Sequence, residues 1–314
     1  MTIMTFPNLS TSQRMALMEV PLNTRAPVVI DSDTFNEIDD QFAIAWTLLS
    51  NDRIDLQAIY AAPFTNNMFD SSHSAISDPK QGMALSFEEI HRVIERVTPS
   101  KAPKVCAGAT RYLKDLPTLE STEATVDLIE RSKKVEGILQ VVCIGAPTNV
   151  ASAIKQDPSI IERIHVIWLG GNSYEWENTY EFNMLQDIDA SRVILDSGVA
   201  LTQIPCFGVA NCMASSVPEI QYYLKGTSKI GDYLAEEAPK CPWIGFGNRK
   251  VIWDITAVGY VMNPDWFTTE IISSPILNDN FTYSFNKKRH PIRVVKFIER
   301  DELFIDMFKK LIKG

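Results

Sequence analysis

The feature that most constrains the fold is an alternation of short β-branched segments with amphipathic helical segments along most of the chain. Strands are predicted at Val28–Ile30, Leu56–Tyr60, Leu139–Ile144, Ile164–Leu169 and Leu201–Ile204, and helices at Asp39–Leu49, Phe87–Arg96, Asn149–Gln156 and Ala190–Ser197. Strands that alternate with helices in this way are typical of a parallel sheet covered by helices. We therefore predict an α/β fold with a mostly parallel, Rossmann-like sheet flanked by helices.

The rest of the chain gives no sign of a second domain. More helices are predicted at Ile220–Leu224, Ile230–Ala238, Asp254–Met262 and Asp301–Lys313, with no linker before them. We predict one domain over residues 28–314, with extra C-terminal helices, after an N-terminal extension over residues 1–27. The long irregular segment Ala61–Leu85, followed by a helix cap at Ser86, is predicted to be a mobile active-site flap, because such loops are often functional.

Composition and charge exclude several classes of protein. Of the 314 residues, 45% are hydrophobic and 22% are charged, which suits a globular core. The 30 basic and 39 acidic side chains give a net charge of −9, so nucleic acid is not an expected partner. No apolar stretch approaches the roughly 20 residues that span a bilayer. Residues 1–27 lack the pattern of a secretion signal, and the five cysteines have no CxxC spacing. We expect a cytoplasmic protein with no membrane partner and no zinc site.

Five carboxylates cluster directly after the first predicted strand. Asp31, Asp33, Glu37, Asp39 and Asp40 lie within ten residues, where the carboxyl ends of parallel strands carry ligand sites. Acidic side chains without a nearby His or Cys favour a hard cation such as calcium or magnesium. Calcium accepts 6–8 oxygen ligands, which leaves room for substrate hydroxyls.

Two other interpretations of this acidic segment stay open. Asp39 and Asp40 also suit the positive N-terminus of the following helix, with the other acids in solvent. An Asp-x-Asp after a strand also begins the haloacid-dehalogenase-like phosphatases, which use an aspartyl-phosphate nucleophile. Those enzymes usually have Thr two residues after the second Asp, where this chain has Phe35.

Several blocks in a shared order, from Val28 to about Phe267, resemble the nucleoside hydrolase family. The first is Asp31-Ser32-Asp33 followed by Asp39-Asp40. The others are Val105-Cys106-Ala107-Gly108-Ala109, Gly145-Ala146-Pro147-Thr148-Asn149, Leu169-Gly170-Gly171, Glu181-Phe182-Asn183 followed by Asp187, and Trp253-Asp254 with Ala257. The resemblance implies the nucleoside hydrolase fold and hydrolysis of the N-glycosidic bond of ribonucleosides, a small-molecule substrate, to ribose and free base.

The resemblance also implies a cofactor, one Ca²⁺ that holds the ribose 2′ and 3′ hydroxyls. Asp33, Asp40 and Asp254 match its carboxylate ligands, and Ile144 matches the position whose backbone carbonyl completes the set. A backbone ligand explains why an apolar side chain is tolerated at Ile144.

A second group of residues matches the family's ribose-binding positions. Asp39, Glu181 and Asn183 match partners of the ribose hydroxyls. Asn172 and Asn178 compete for one further place, because the local spacing differs, and we prefer Asn172.

Catalysis by a member of this family requires an activated water and an oxocarbenium-like transition state, as in glycosidases. Asp33 matches the general base. Trp253 stands where many relatives have His and where purine-preferring members have Trp, so the resemblance implies a catalytic role in stacking on the base and a purine preference. The alternative is that Trp253 is an ordinary core aromatic. Trp176, Tyr174 and Tyr180 are candidates for the opposite stacking face.

Other polar residues receive weaker roles. His73, in the predicted flap, is a candidate proton donor to the base, and a solvated loop His is the alternative. Asn66 is a further flap candidate for substrate contact. His91, His165 and His290 receive no catalytic role.

The sequence departs from the family pattern in two places. Five residues, Thr34 to Ile38, separate Asp33 from Asp39 where the family usually has three, so Glu37 either enters the metal shell or faces solvent. The usual His before the last aspartate is missing, so a relative that binds ribose or nucleosides without catalysis is the alternative function. By resemblance, the protein is expected to form a homodimer or homotetramer.

Overall fold

A computed structural model describes residues 6–67, 75–115, 119–241, 244, 246–247 and 249–314. Its strands are β1 (Ala26–Ser32), β2 (Ile54–Ala61), β3 (Lys104–Ala107), β4 (Leu139–Cys143), β5 (Ile164–Leu169), β6 (Ala200–Ile204), β7 (Ala214–Ser216), β8 (Arg249–Val251), β9 (Phe267–Ser273), β10 (Ile276–Leu277), β11 (Tyr283–Ser284) and β12 (Pro291–Ile298). Its α-helices are α1 (Thr11–Leu17), α2 (Asp39–Leu48), α3 (Pro79–Val97), α4 (Glu123–Lys134), α5 (Thr148–Gln156), α6 (Phe182–Gln186), α7 (Ile188–Asp196), α8 (Val217–Leu224), α9 (Lys229–Glu237), α10 (Ile255–Met262) and α11 (Arg300–Lys313).

Within the described ranges, eight strands form the central sheet in the order β3-β2-β1-β4-β5-β6-β12-β9. All neighbours are parallel except the edge strand β9, which runs antiparallel to β12. The order of the strands reverses between β1 and β4, and ligands of open parallel sheets bind at such a switch point. The prediction of a mostly parallel sheet flanked by helices is confirmed.

The sheet separates two apolar cores because neighbouring side chains of a strand point to opposite faces. Val28 and Ile30 of β1 pack in one core with Phe42 of α2 and residues of α10 and α11. Val29 lies in the other core with residues of α4, α5 and α7. Burying one such aliphatic side chain stabilises the fold by about 1.5–3 kcal/mol. The two cores fix β1, and therefore the acidic segment that follows it.

The segment after β2 is shorter than predicted. Ala61 belongs to β2, and α3 begins at Pro79, so the predicted flap Ala61–Leu85 is wrong at both ends. The Asp78 side chain caps α3 by accepting a hydrogen bond from the Lys80 N–H at 3.0 Å. Asp followed by Pro is a signal for the start of a helix. Because the first turn is polar, the sequence interpretation placed the start of this helix too late. Ser86 lies buried inside the helix and is not its cap.

Several further elements differ from the prediction. The sequence interpretation missed α4, although Thr122 and Thr125 form a reciprocal cap at its start. It also missed α1, whose buried Arg14 donates from Nε to the Gly198 carbonyl at 2.8 Å. The strand β1 begins at Ala26. The division into residues 1–27 and 28–314 stays a prediction.

Candidate active site

The loops after β1, β4, β5 and β6 surround a cavity of about 360 Å³ at the carboxyl edge of the sheet. Eight of the predicted site residues line it, namely Asp33, Asp39, Asp40, Ile144, Glu181, Asn183, Trp253 and Asp254. The cavity therefore brings together residues that are up to 221 positions apart in the chain. Asn172, the preferred candidate for a further ribose-binding place, is not among the described lining residues.

Three carboxylates converge at this cavity from two helix starts. Asp39 and Asp40 lie in the first turn of α2, and Asp254 immediately precedes α10, which packs against α2. One carboxylate oxygen from each of the three lies within 4.8 Å of the others. Asp39 and Asp40 do lie at the N-terminus of α2, but Asp31 and Asp33 are buried, so the interpretation that leaves the other acids in solvent does not hold for these two.

Asp33 lines the same cavity but is held differently. Its side chain is buried, and its Oδ2 has no hydrogen-bond partner among the described residues. A buried, unpartnered carboxylate oxygen is costly unless a ligand satisfies it. Asp33 therefore lines the cavity and has a buried acceptor that no described residue engages.

Burial and repulsion from neighbouring carboxylates disfavour the charged forms of Asp33, Asp40 and Asp254 and raise the pKa of each. Burial is the main cause that raises the pKa of Asp40 to about 8, and the nearby Asp39 adds to it. The pKa values of Asp33 and Asp254 are also raised, first by burial and then by the neighbouring carboxylates. A bound divalent cation would reverse this balance. The atoms that these side chains offer to a cation are carboxylate oxygens, so the site fits a hard cation such as calcium or magnesium.

The cavity also presents groups that match a polyol. Glu181 caps α6 by accepting hydrogen bonds from the N–H groups of Gly171, Asn183 and Met184 at 2.8–3.2 Å. The Asn183 amide donates to the carbonyls of Ile144 at 3.1 Å and Leu169 at 3.0 Å. A carbonyl oxygen has two lone pairs, so the Ile144 carbonyl can accept this bond and still meet a cation.

Neither candidate for the further asparagine position lines the cavity. The Asn172 side chain donates to the Asn178 carbonyl at 3.2 Å and accepts from the Phe207 N–H at 3.4 Å. The Asn178 side chain accepts from the Tyr180 N–H at 3.0 Å. Both side chains thus shape the loop after β5.

Aromatic rings extend from one side of the cavity. Trp253 and Phe207 both line it, and their ring centroids lie 5.3 Å apart at an interplanar angle of 68°. Trp176 continues the series at 5.4 Å from Phe207. Tyr180 also lines the cavity, whereas Tyr174 packs against Tyr283 outside it. Phe207, which sequence reasoning missed, follows β6, and the rule for strand ends would have found it.

Lys250 is another lining residue that sequence reasoning missed. Its buried Nζ is paired with Glu37 and lies 3.4 Å from Asp39 Oδ1. Burial opposes the charge, but Asp39 and Glu37 outweigh it and raise the lysine pKa. Glu37 therefore lines the cavity as an ion pair with Lys250 and does not simply face solvent. The sequence around a lysine in a short strand does not indicate that the lysine pairs with carboxylates far away in the chain.

Two of the family-like blocks support the site from behind. The Asn149 amide donates to Asp31 Oδ1 at 2.8 Å and accepts from the Ala109 N–H at 2.7 Å, which joins the start of α5 to β1 and to the loop after β3. A Cβ atom on Gly145 would lie 3.0 Å from Asp33 Oδ1. The lack of a side chain at Gly145 therefore allows the loop after β4 to approach the Asp33 carboxylate.

Those remaining polar candidates that the structure describes are not among the residues that line the cavity. Asn66 pairs with the backbone of Ile76, and His73 lies outside the described residues. His165 is buried between Gln140 and Thr202, and its pKa falls to about 3 because of burial. None of the described residues that line the cavity is a histidine.

The sequence matches the family model of the inosine-uridine preferring nucleoside hydrolases over residues 28–304. The pyrimidine-specific ribonucleoside hydrolase RihB of Escherichia coli O139:H28 is 27% identical over 158 residues, or 48% of this chain and 50% of that protein. The matched region thus spans about half the length of this relative.

Solved structures of low sequence identity share the fold. The purine-preferring ribonucleoside hydrolase from Gardnerella vaginalis superposes with a TM-score of 0.72 at 19% identity, over 91% of this chain and 99% of that one. An inosine-uridine preferring nucleoside hydrolase from Bacillus anthracis gives 0.69 at 17% identity, over 93% and 100%. The family model and the relatives named here are all nucleoside hydrolases, so these matches do not support the phosphatase interpretation. Because the family match covers most of the chain, the chain belongs to the inosine-uridine preferring nucleoside hydrolase family.

Proposed function

We propose that this protein hydrolyses the N-glycosidic bond of ribonucleosides to give ribose and a free base. The observation that carries the proposal is the convergence of Asp39, Asp40 and Asp254 beside the unpartnered oxygen of Asp33. An acidic cavity of this kind suits a reaction in which positive charge develops on a sugar ring. Membership of the family gives the same reaction class.

The proposal includes one bound calcium ion. Asp33, Asp40, Asp254 and the Ile144 carbonyl would hold it, and all four line the cavity. When bound, the ion supplies electrostatic stabilisation of a ribose diol and of a nearby water. The residues proposed to bind the ribose hydroxyls are Asp39, Glu181 and Asn183.

Asp33 is proposed as the general base. Its Oδ2 is the buried carboxylate oxygen that no described residue engages, so it is available to accept a proton from the attacking water. A base must lie within hydrogen-bond reach of the proton it removes. The charges of the surrounding acids favour the oxocarbenium-like sugar relative to neutral substrate.

For the leaving group we propose a purine base stacked on Trp253 and Phe207. The two rings form an edge-to-face pair at the cavity, and the flat faces of larger bases gain more from stacking. The relatives do not decide this point, because one is named as pyrimidine-specific and another as purine-preferring. Trp253 is the residue that favours purines.

Base release from purified protein tests the proposal directly. Protein loaded with calcium should release free base from at least one of inosine, guanosine, adenosine, uridine or cytidine, and removal of calcium with a chelator should abolish this. A protein that releases no base from any of them, and whose melting temperature does not respond to calcium, would contradict the proposal.

The second candidate is a relative that binds nucleosides without hydrolysis. It is favoured by the lack of a histidine among the described lining residues, since a leaving base must be stabilised. Saturable calorimetric binding of ribose or nucleosides, without base release over many hours, would support this candidate over the enzyme.

The cellular context is a further part of the proposal. We propose a cytoplasmic homodimer or homotetramer that takes part in nucleoside salvage, on the basis of family resemblance. Among the described residues, no helix has the length and apolar character required to cross a bilayer. Light scattering of the purified protein tests the assembly, and a monomeric mass at micromolar concentration would contradict it.

A further inference from the structure

The strand β8 places a lysine beside the acids of the cavity. Lys250 pairs β8 with β7, and its side chain is only 5% exposed. Its Nζ contacts the Glu37 carboxylate, lies 3.4 Å from Asp39 Oδ1 and donates to the Val251 carbonyl at 2.8 Å. A buried ammonium held in this way is a fixed positive charge within the acidic cluster.

The contacts of Asp39 differ from those of the other acids. Lys250 approaches its Oδ1, and the Trp253 N–H donates to its Oδ2 at 3.2 Å. Each oxygen of Asp39 therefore has one protein group beside it, and the remaining lone pairs of the carboxylate can still accept hydrogen bonds from sugar hydroxyls. In contrast, Asp33 has an oxygen without a partner among the described residues. The geometry that groups Asp39 with Asp40 and Asp254 would otherwise make all three equal candidates for a cation.

We propose that Lys250 is a positioning residue that keeps Asp39 from binding the cation and reserves its carboxylate for the sugar. The inference rests on the proposed function, because it assigns the cation to the remaining acids. An ammonium close to one carboxylate oxygen repels a divalent ion from that carboxylate, and the repulsion is strong in a buried site. Glu37 balances the lysine charge, which gives the longer Thr34–Ile38 turn a role in the same arrangement.

Calcium binding measured by calorimetry on chelator-treated protein tests this division of roles. Asp39→Asn should change the calcium dissociation constant by less than about threefold, whereas Asp40→Asn should raise it by about 100-fold or more. Lys250→Met should tighten calcium binding by about tenfold, because Asp39 is then released to join the cation. Lys250→Arg, which keeps the charge, should leave calcium affinity close to that of the unaltered protein.

Kinetics supply the second readout. Lys250→Met should raise the KM for a nucleoside about tenfold or more, although its calcium site is tighter. Lys296→Met is a matched control, because Lys296 also pairs with a glutamate, Glu175, but lies outside this cavity. It should alter neither calcium affinity nor KM.

The possible results separate this inference from the proposed function. If Asp39→Asn weakens calcium binding as much as Asp40→Asn, or if Lys250→Met weakens it, the inference is overturned. It is also overturned if neither the unaltered protein nor Lys250→Met binds calcium. An unaltered protein that binds calcium but releases no base contradicts the proposed hydrolysis alone, since the calcium affinities still decide the role of Lys250. If Lys250→Met does not fold, the Asp39→Asn comparison decides.

Discussion

At the scale of single residues, the cavity acids have distinct surroundings despite their common chemistry. Asp33 has a buried oxygen without a described partner, whereas Asp39 is held by Lys250 and the Trp253 N–H. Asp40 accepts a hydrogen bond from the Ser32 hydroxyl. The role of each acid follows from these contacts more than from its place in the motif.

Replacing the proposed base should separate activity from stability. Asp33→Asn is expected to lower kcat by a factor of about 10²–10⁴, the range typical of lost general-base catalysis. The melting temperature of the metal-free protein should not fall, because the change removes a costly buried charge. Asp52→Asn, at an exposed acid paired with Lys310, is the control. Turnover of Asp33→Asn within threefold of the unaltered protein would remove Asp33 from the mechanism.

Removing the indole should affect release of a poor leaving group most. Trp253→Ala is expected to lower kcat/KM for a purine nucleoside by about 10- to 100-fold, as base stacking is worth about 1–3 kcal/mol. Hydrolysis of nitrophenyl riboside should fall by less than about threefold, since nitrophenolate leaves without help. Tyr222→Ala, at a remote exposed ring, serves as control. Equal losses on both substrates would show that Trp253 does not assist the leaving base.

At the scale of elements, the first turn of α2 and the start of α10 bring the acids together. The Asp39-Asp40 pair and the Trp253-Asp254 pair are each recognisable in the sequence. Their convergence depends on the packing of α10 against α2, which local sequence does not encode. The strands were predictable because they are apolar on both faces, as expected for buried parallel strands. The contact between Lys250 and Glu37 was not predictable, because the partners are 213 positions apart.

The start of α3 shows how a close approach overrides helix propensity. Gly82 lies in the first turns of α3, and a Cβ atom there would be 2.1 Å from the Phe64 carbonyl oxygen. Gly82→Ala is therefore expected to lower the free energy of unfolding by about 1–3 kcal/mol, even though alanine favours helices. Ala84→Gly, at an exposed position of the same helix, should lower it by about 1 kcal/mol through propensity alone.

Urea denaturation of the two variants measures both effects. If Gly82→Ala raises the free energy of unfolding, the helix propensity of alanine outweighs the close contact with the Phe64 carbonyl. The segment around Phe64 would then move easily to make room for the methyl group. The comparison therefore reports whether the chain before α3 is firmly packed.

At the scale of the whole molecule, the sheet gathers negative charge at one edge of an already acidic protein. The net charge is −9, and several acids at the switch point between β1 and β4 are buried. Acids with folded-state pKa values above their unfolded values favour folding while protonated and oppose it once ionised. The stability of the metal-free protein is therefore linked to pH through this cavity.

This linkage predicts how stability depends on pH and calcium. The pKa of Asp40 is raised by burial to about 8, so its favourable contribution is present below its ordinary value near 4 and is lost as the pH rises through about 8. The melting temperature of metal-free protein should fall between pH 5 and pH 8.5, and should fall less in Asp40→Asn.

Calcium binds the ionised acids, so saturating calcium should raise the melting temperature more at pH 8 than at pH 5. Differential scanning calorimetry with and without calcium checks both trends. This account of the cavity would be contradicted if calcium raised the melting temperature more at pH 5 than at pH 8. It would also be contradicted if the metal-free melting temperature rose with pH equally in the unaltered protein and in Asp40→Asn.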